Sequence, residues 1–364
     1  MIKKILLIPL ALLLALSLVA IGCPTPPTTT TPTTPTTPSA TTTPVFELKL
    51  QSHLAGVELE RWTGFFCPLV EKLTNGTVKI TPYAGGTLIP SKEILDAVGS
   101  RTVDMGASAG GYWTGVIPVD ELTAGLPFCF GSLNEARFFM WHRGFVDILR
   151  EEYAKHNAYF IPFECYGVGL MTNKPIEQVS DLKGMKLRAY GAMAEWLDQC
   201  EAATVYIPGG ELYTGLATGV VSGAHWADAG PMYEMKFQEV LKYYMLPEPI
   251  QGAWNNIYVN MDLWNEFTPE QRNAIEVAAV ASGAMTQNHT RLIYERALCS
   301  MVEDWDVKAT VLSEEEQAKA KELAMKAWDK IAQKDPRNAE VIAMIKDFLK
   351  EEEVIAELIF PYPW

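Results

Sequence analysis

The chain has 364 residues and a formal charge of -14. An acidic balance of this size argues against nucleic acid as a partner and against direct adhesion to anionic lipid, although one local arginine can still receive an anion. From Val45 onward roughly 320 residues remain, enough for two packed lobes, and no further apolar run of membrane length occurs among them.

Met1-Ile2-Lys3-Lys4 opens a positively charged n-region, and Ile5 to Ile21 is apolar apart from Pro9 and Ser17. This is the layout of an export signal. Ala20-Ile21-Gly22-Cys23 closes it with a small residue before a cysteine, an arrangement that resembles the bacterial lipobox. Residues 1–22 are therefore expected to be a lipoprotein signal peptide and Cys23 the lipidated first residue of the mature chain. A plain cleaved signal with an incidental cysteine is the alternative. Residues 24–44 are almost only Thr and Pro and have nothing to bury. Extended at about 3.1 Å per residue, such a tether reaches some ~60 Å from a lipid surface.

Phe46 to Leu50 alternates apolar and charged residues, as a strand does. A helix is expected over Glu58 to Leu73, stopped by Asn75-Gly76, then a strand from Val78 to Pro82. Ser91 precedes a short helix, Lys92 to Val98, and Thr102 to Gly106 returns to strand. This alternation predicts a parallel sheet with helices on its faces. Ser132 to Lys155 reads as one longer helix. A second cycle begins near Tyr159, with strands at Phe160 to Phe163, Gly167 to Thr172 and Lys186 to Tyr190. Helices follow near Met193 to Glu201 and from Pro208-Gly209-Gly210 to Thr218, and Asn256 to Asn260 is again strand. Thr268-Pro269-Glu270 starts a long helix with a Thr cap and Pro at its first position. Glu314 to Gln333 and Ala339 to Lys350 are the last helices.

Catalytic signatures are missing. The five histidines (His53, His142, His156, His225 and His289) form no His-Glu-x-x-His and no pair at metal-ligand spacing. There is no Gly-x-Ser-x-Gly elbow and no phosphate-binding loop. Cys67, Cys129, Cys165, Cys200 and Cys299 are scattered and odd in number, which suits buried small residues better than a disulfide framework. No catalytic residue, cofactor or metal site is expected, and binding is favoured over catalysis.

Three segments in order resemble the substrate-binding proteins of TRAP transporters, the tripartite ATP-independent systems with DctP-type receptors. They are Asp181-Leu182-Lys183-Gly184-Met185-Lys186-Leu187-Arg188, then Gly209-Gly210-Glu211-Leu212-Tyr213 through Gly219-Val220-Val221-Ser222-Gly223, then Lys236-Phe237-Gln238-Glu239-Val240 before Tyr243-Tyr244. The resemblance implies an α/β, two-lobed fold of the type II periplasmic-binding-protein kind, with a long lobe-bridging helix after Thr268. The expected division is 45–164 with 252–291 for the first lobe and 165–251 with 292–364 for the second. It also implies an extracytoplasmic receptor, held to the cytoplasmic membrane by its lipid, that hands a small organic acid to a membrane permease driven by ion gradients. A receptor for an ABC importer or an extracytoplasmic sensor is the competing reading.

In this family the arginine of the Lys-x-Arg strand clamps the substrate carboxylate, a role that falls on Arg188. A planar guanidinium grips a carboxylate through two parallel hydrogen bonds. An ordinary strand arginine paired with a local acid is the alternative. Trp226 is expected at the ligand, while Tyr213 either faces the cleft or packs its helix. His53, Tyr112 and Trp113 lie on first-lobe loops, Glu164 and Tyr166 near the hinge crossing, and Asn255 and Asn256 where the chain returns to the first lobe. Relatives that use a metal ion place a Gln and an acidic residue where Gly167 and His225 stand here, which argues against metal-assisted binding. Neutral His225 is expected to hydrogen-bond the substrate instead. The aromatic surroundings, with no second arginine evident, suggest a monocarboxylate with an apolar or aromatic body.

Overall fold

The computed structural model describes residues 44–359. Cys23 and most of the Thr/Pro segment lie outside the described residues. No described helix is long and apolar enough to cross a membrane.

The first strand, β1 (Phe46–Ser52), buries Leu48 and Leu50 while Glu47 and Lys49 face out. It is followed by α1 (Gly56–Leu73), β2 (Val78–Tyr83), α2 (Ile94–Gly99) and β3 (Met105–Ala109). β3 starts three residues later than expected, because Arg101 takes a left-handed turn conformation (φ 58°) and all five of its residues are buried as a central strand. The single helix expected over residues 132–155 is two, α3 (Leu133–His142) and α4 (Phe145–Ala154). Gly144 breaks it with φ 86°, a value glycine reaches without a Cβ penalty.

The chain then runs through β4 (Ala158–Val168), β5 (Leu170–Thr172), β6 (Lys186–Arg188), α5 (Gly191–Gln199), β7 (Ala203–Val205), α6 (Gly209–Ala217) and β8 (Gly223–His225). Two short helices, α7 (Ala229–Glu234) and α8 (Phe237–Val240), lead into β9 (Tyr243–Leu246) and β10 (Ile250–Asn260). The last elements are α9 (Met261–Glu266), α10 (Pro269–Trp305), β11 (Lys308–Val311), α11 (Glu314–Ala332) and α12 (Pro336–Ile359). α10 opens on a capping box. The Thr268 hydroxyl accepts from the Gln271 N–H at 3.2 Å, and the Gln271 amide oxygen accepts from the Thr268 N–H at 3.0 Å.

Two sheets result, with strand orders β2-β1-β3-β10-β4 and β11-β9-β5-β8-β6-β7. Both are mixed rather than parallel. β10 runs antiparallel between β3 and β4, and β5 antiparallel between β8 and β9. The reason is connectivity. The chain leaves the first sheet on β4 and returns to it on β10, so the returning strand points the opposite way. α11 and α5 pack over the second sheet, where the Trp196 indole N–H donates to the Ala320 carbonyl at 3.1 Å. α12, expected with the second lobe, sets Phe348 against Phe130 and Phe139 on the first sheet's side. Cys129, Cys165 and Cys200 are buried thiols as expected; Cys67 is half-buried and Cys299 exposed, and all five are unbridged.

α10 serves both sheets. Its first half buries Ile275, Ala278 and Ala279 with α1 against the first sheet, and its last turns bury Met301 against the second. Between them it crosses β4, where a Cβ placed on Gly283 would overlap the Phe163 carbonyl oxygen. Alanine favours a helix interior over glycine by about 1 kcal/mol. Here the obstacle is backbone and cannot rotate away, so Gly283→Ala is expected to destabilise the protein by about 1–3 kcal/mol. Differential scanning calorimetry checks this, and an unchanged or raised midpoint would contradict so close a crossing.

Candidate ligand-binding cleft

A cavity of about 1100 Å³ opens between the two sheets. Its walls come from the carboxyl ends of parallel strands, where α/β sheets present loops to a ligand. On the second sheet, β6 is flanked by β7 and β8 in parallel, with Arg188 opposite Val205 and Ala224. The residues leaving these three strands, Arg188 and Tyr190, Tyr206, and His225 and Trp226, all line the cavity. On the first sheet the ends of β1 and β3 supply His53, Tyr112 and Trp113. The floor is formed by β4, β10 and α10, through Glu164, Tyr166, Asn255 and Thr290.

Arg188 is only 3% exposed. Its Nε donates to the Ile207 carbonyl at 3.1 Å and its Nη1 to the His225 carbonyl at 2.7 Å. Those two bonds fix the fork and, among the described residues, leave Nη2 without a partner. The guanidinium carbon lies 4.7 Å from the Trp226 ring centroid, 5.1 Å from Tyr190 and 5.6 Å from Tyr206. Among the described residues no carboxylate pairs with it. The ion-paired strand arginine is thus not what stands here. Burial lowers its pKa, opposed only by the neighbouring tyrosines. Gly209 lets Trp226 come this close, since a Cβ there would lie 2.7 Å from the far edge of the indole.

Of the expected residues, Arg188, Trp226, His225, His53, Tyr112, Trp113, Glu164, Tyr166 and Asn255 line the cavity. Two do not. Tyr213 sits on the outer side of α6, where its hydroxyl donates to Glu239 at 2.6 Å. Asn256 is fully buried one step along β10 from Asn255, and strand alternation turns it to the opposite face. The Asn255 amide reaches Glu164 at 2.8 Å instead. A second guanidinium, Arg61 of α1, also lines the cavity, contrary to expectation, but it is paired with Glu234 of α7 at 3.1 Å. Glu58, Tyr190, Tyr206 and Asp228 were not anticipated. Tyr190 and Tyr206 were findable by one rule: they follow two parallel strands at their carboxyl ends.

Both cavity histidines are neutral. His53 donates from Nδ1 to the Ala107 carbonyl at 3.3 Å, and burial lowers its pKa to about 4. Burial takes His225 to about 3, with the Arg188 guanidinium acting in the same sense. Among the described residues His225 Nδ1 has no partner.

Residues 59–335 match the family described as "Bacterial extracellular solute-binding protein, family 7", or DctP. The chain belongs to this family. A monocarboxylate 2-oxoacid-binding periplasmic protein of a Nostoc species is 28% identical over 289 residues, covering 78% of each chain. The C4-dicarboxylate-binding periplasmic protein DctP of Rhodobacter capsulatus is 24% identical over 300 residues, covering 81% of this chain and 89% of its own. A TRAP transporter solute-binding protein from Bordetella bronchiseptica, solved with copurified calcium and picolinate, superposes with a TM-score of 0.77 at 22% identity, over 87% of this chain and 95% of that one. One from Colwellia psychrerythraea, with bound calcium and pyruvate, gives 0.77 at 22% identity, over 86% and 97%. The two-lobed periplasmic-binding-protein fold and the TRAP-type, extracytoplasmic solute-binding class follow.

Both of those structures hold calcium, and the two positions that the resemblance would give to a metal, Gly167 and His225, are unsuited to one here. Gly167 offers no side chain, and a Cβ there would overlap the Glu248 carboxylate. His225 turns its carbonyl to a guanidinium, which would repel a cation beside it. No described group of three His, Cys, Asp or Glu is placed to hold a metal.

The lowered pKa of His225 has a consequence for stability. The unfolded chain, with a histidine pKa near 6.5, takes up a proton that the folded chain refuses until about pH 3. The stabilisation is complete above pH 6.5 and is lost on acidification, by about 1.4 kcal/mol per pH unit. His225→Asn is expected to flatten the fall in stability between pH 6.5 and 4. Urea unfolding of both proteins at matched pH tests this, and parallel curves would refute a neutral buried His225.

Proposed function

We propose that this protein is the extracytoplasmic receptor of a TRAP permease and that it captures a small organic acid whose carboxylate seats on Arg188. The observation that carries the proposal is a guanidinium buried to 3% exposure with an unpartnered Nη2 at a cavity wall and no anion beside it. A buried charge without a counter-charge is costly. An incoming carboxylate supplies the missing partner and gains charge-assisted hydrogen bonds in return. The relatives that bind 2-oxo acids and C4-dicarboxylates support the same ligand chemistry.

Capture is a closing motion of the two sheets with their helices about β4, β10 and α10, since those elements connect the two sheets and also floor the cavity. The lobes are taken as 45–164 with 252–291 and 165–251 with 292–335, with α12 resting on the first-sheet side. Closure brings His53 and Tyr112 of one wall onto a solute held by Arg188 and Trp226 of the other. The closed form then docks on the permease, and ion gradients drive uptake. Cys23, lipidated, keeps the receptor at the membrane, and the Thr/Pro segment is its leash.

Arg188→Ala is expected to abolish the rise in melting temperature that organic acids induce. A ligand at a hundred times its Kd adds about 2.7 kcal/mol, so the loss is large on the scale of the measurement. Arg188→Lys should bind poorly too, because a point charge cannot copy the fork. Undiminished stabilisation in both variants would refute the assignment. For the anchor, Cys23→Ser is expected to release the protein from membranes and to end incorporation of labelled fatty acid. Continued labelling of that variant would place the lipid elsewhere or nowhere.

A further inference from the structure

Arg188 is not the only charged group at the cavity wall. Glu58 of α1, Glu164 of β4 and Asp228, which caps α7, line it as well. Arg61 is the cation beside them, and it is engaged by Glu234, which does not line the cavity. Three carboxylates therefore line the cavity and share a single nearby cation, Arg61, which is already bonded to Glu234.

These acids are built in rather than solvated by chance. Glu164 is 6% exposed and accepts from the Asn255 amide at 2.8 Å and from the Thr290 hydroxyl at 3.2 Å. Asp228 is 7% exposed; its Oδ1 accepts from the Gly230 N–H at 3.0 Å, and among the described residues its Oδ2 has no partner. The Thr286 hydroxyl, buried in the same wall, is also unpartnered. Burial raises the pKa of all three acids, and the Arg61 guanidinium opposes the rise in each. None of them acts on Arg188, whose charged neighbourhood is only tyrosine. Among the described residues Arg188 and these acids form no ion pair with one another.

We propose that the pole formed by Glu58, Glu164 and Asp228 receives a cationic, hydrogen-bond-donating group of the solute whose carboxylate Arg188 holds, so that the ligand class is zwitterionic. The proposal rests on the Arg188 reading. A solute with a carboxylate at one end and an ammonium or amidinium-type group at the other completes both poles at once. A plain fatty or aromatic acid leaves the acidic pole unpaired, and a dicarboxylate sets a second anion against three acids with one engaged arginine.

The test is a thermal-shift screen of the full-length protein with carboxylates in three classes matched for length. Pentanoate, glutarate and 5-aminopentanoate form one such set, extended to longer and cyclic members, and calorimetry measures the hits. Zwitterions are expected to bind at least about tenfold more tightly than their matched plain acids, the scale of one charged hydrogen bond. Glu58→Gln and Asp228→Asn are expected to shrink that ratio towards one. Gln at 58 is on a half-buried helix face and Asn at 228 can still cap α7, and unliganded melting curves verify that both fold. Dicarboxylates or plain acids binding as tightly as zwitterions would overturn the acidic pole alone, and so would a ratio unchanged in both variants. The absence of any carboxylate hit would overturn the Arg188 reading and this proposal with it.

Discussion

The crossing of α10 over β4 holds the molecule together in a functional sense. Gly283 lets the helix backbone rest on the Phe163 carbonyl. At the next residue, Glu164 is bonded to Asn255 of β10 and to Thr290 of α10. Three elements that connect the two sheets are thus joined at one buried point. A bulkier helix residue would lift α10 away, and the carboxylate would lose its Thr290 partner on that helix. Because the same point floors the cavity, whatever occupies the cavity touches the junction about which the two sheets can move. In the proposed closing motion, ligand and hinge would share residues, so that binding energy could change the shape of the molecule.

The cavity itself is a study in deliberate charge imbalance. Elsewhere the surface carries ordinary ion pairs, such as Arg101 with Glu266 and Lys350 with Asp347, exposed and worth little individually. In the cavity the pattern is reversed. Arg188 is buried and lacks an acid, while Glu164 and Asp228 are buried and, among the described residues, form no ion pair. Holding such groups costs stability in the empty state. The ridge of aromatic rings around Arg188 limits that cost through cation–π contact and excludes water that would otherwise screen the ligand. His225 and His53, both kept neutral, complete the wall without adding a competing charge.

Much of the architecture was legible locally. Alternation gave β1, the Thr268-Pro269 cap marked the start of α10, and the glycine-rich turns bounded α6. These are short-range signals, set by side-chain period and backbone preference. The break at Gly144 was not legible as a break, because a helix tolerates an isolated glycine in sequence and only packing shows that this one is left-handed. The short strands β8, β9 and β11 carry too few residues for a period to declare itself.

For the site, the sequence by itself singled out one residue, the arginine of a Lys-x-Arg strand, through the ordered pattern of its neighbours, and the structure puts that residue in the cavity wall. It also determined that no constellation for catalysis or metal ligation is written in adjacent positions. Which residues meet Arg188 was decided only by tertiary structure. Tyr190, Tyr206 and Trp226 converge because three parallel strands end side by side, and parallel pairing between distant segments leaves no local trace. Glu58 and Asp228 look like solvated acids in sequence, and become a pole only when α1 and α7 are brought to the same cavity. Asn255 and Asn256 are indistinguishable by type, and a single step along a pleated strand put one in the cavity and the other behind it.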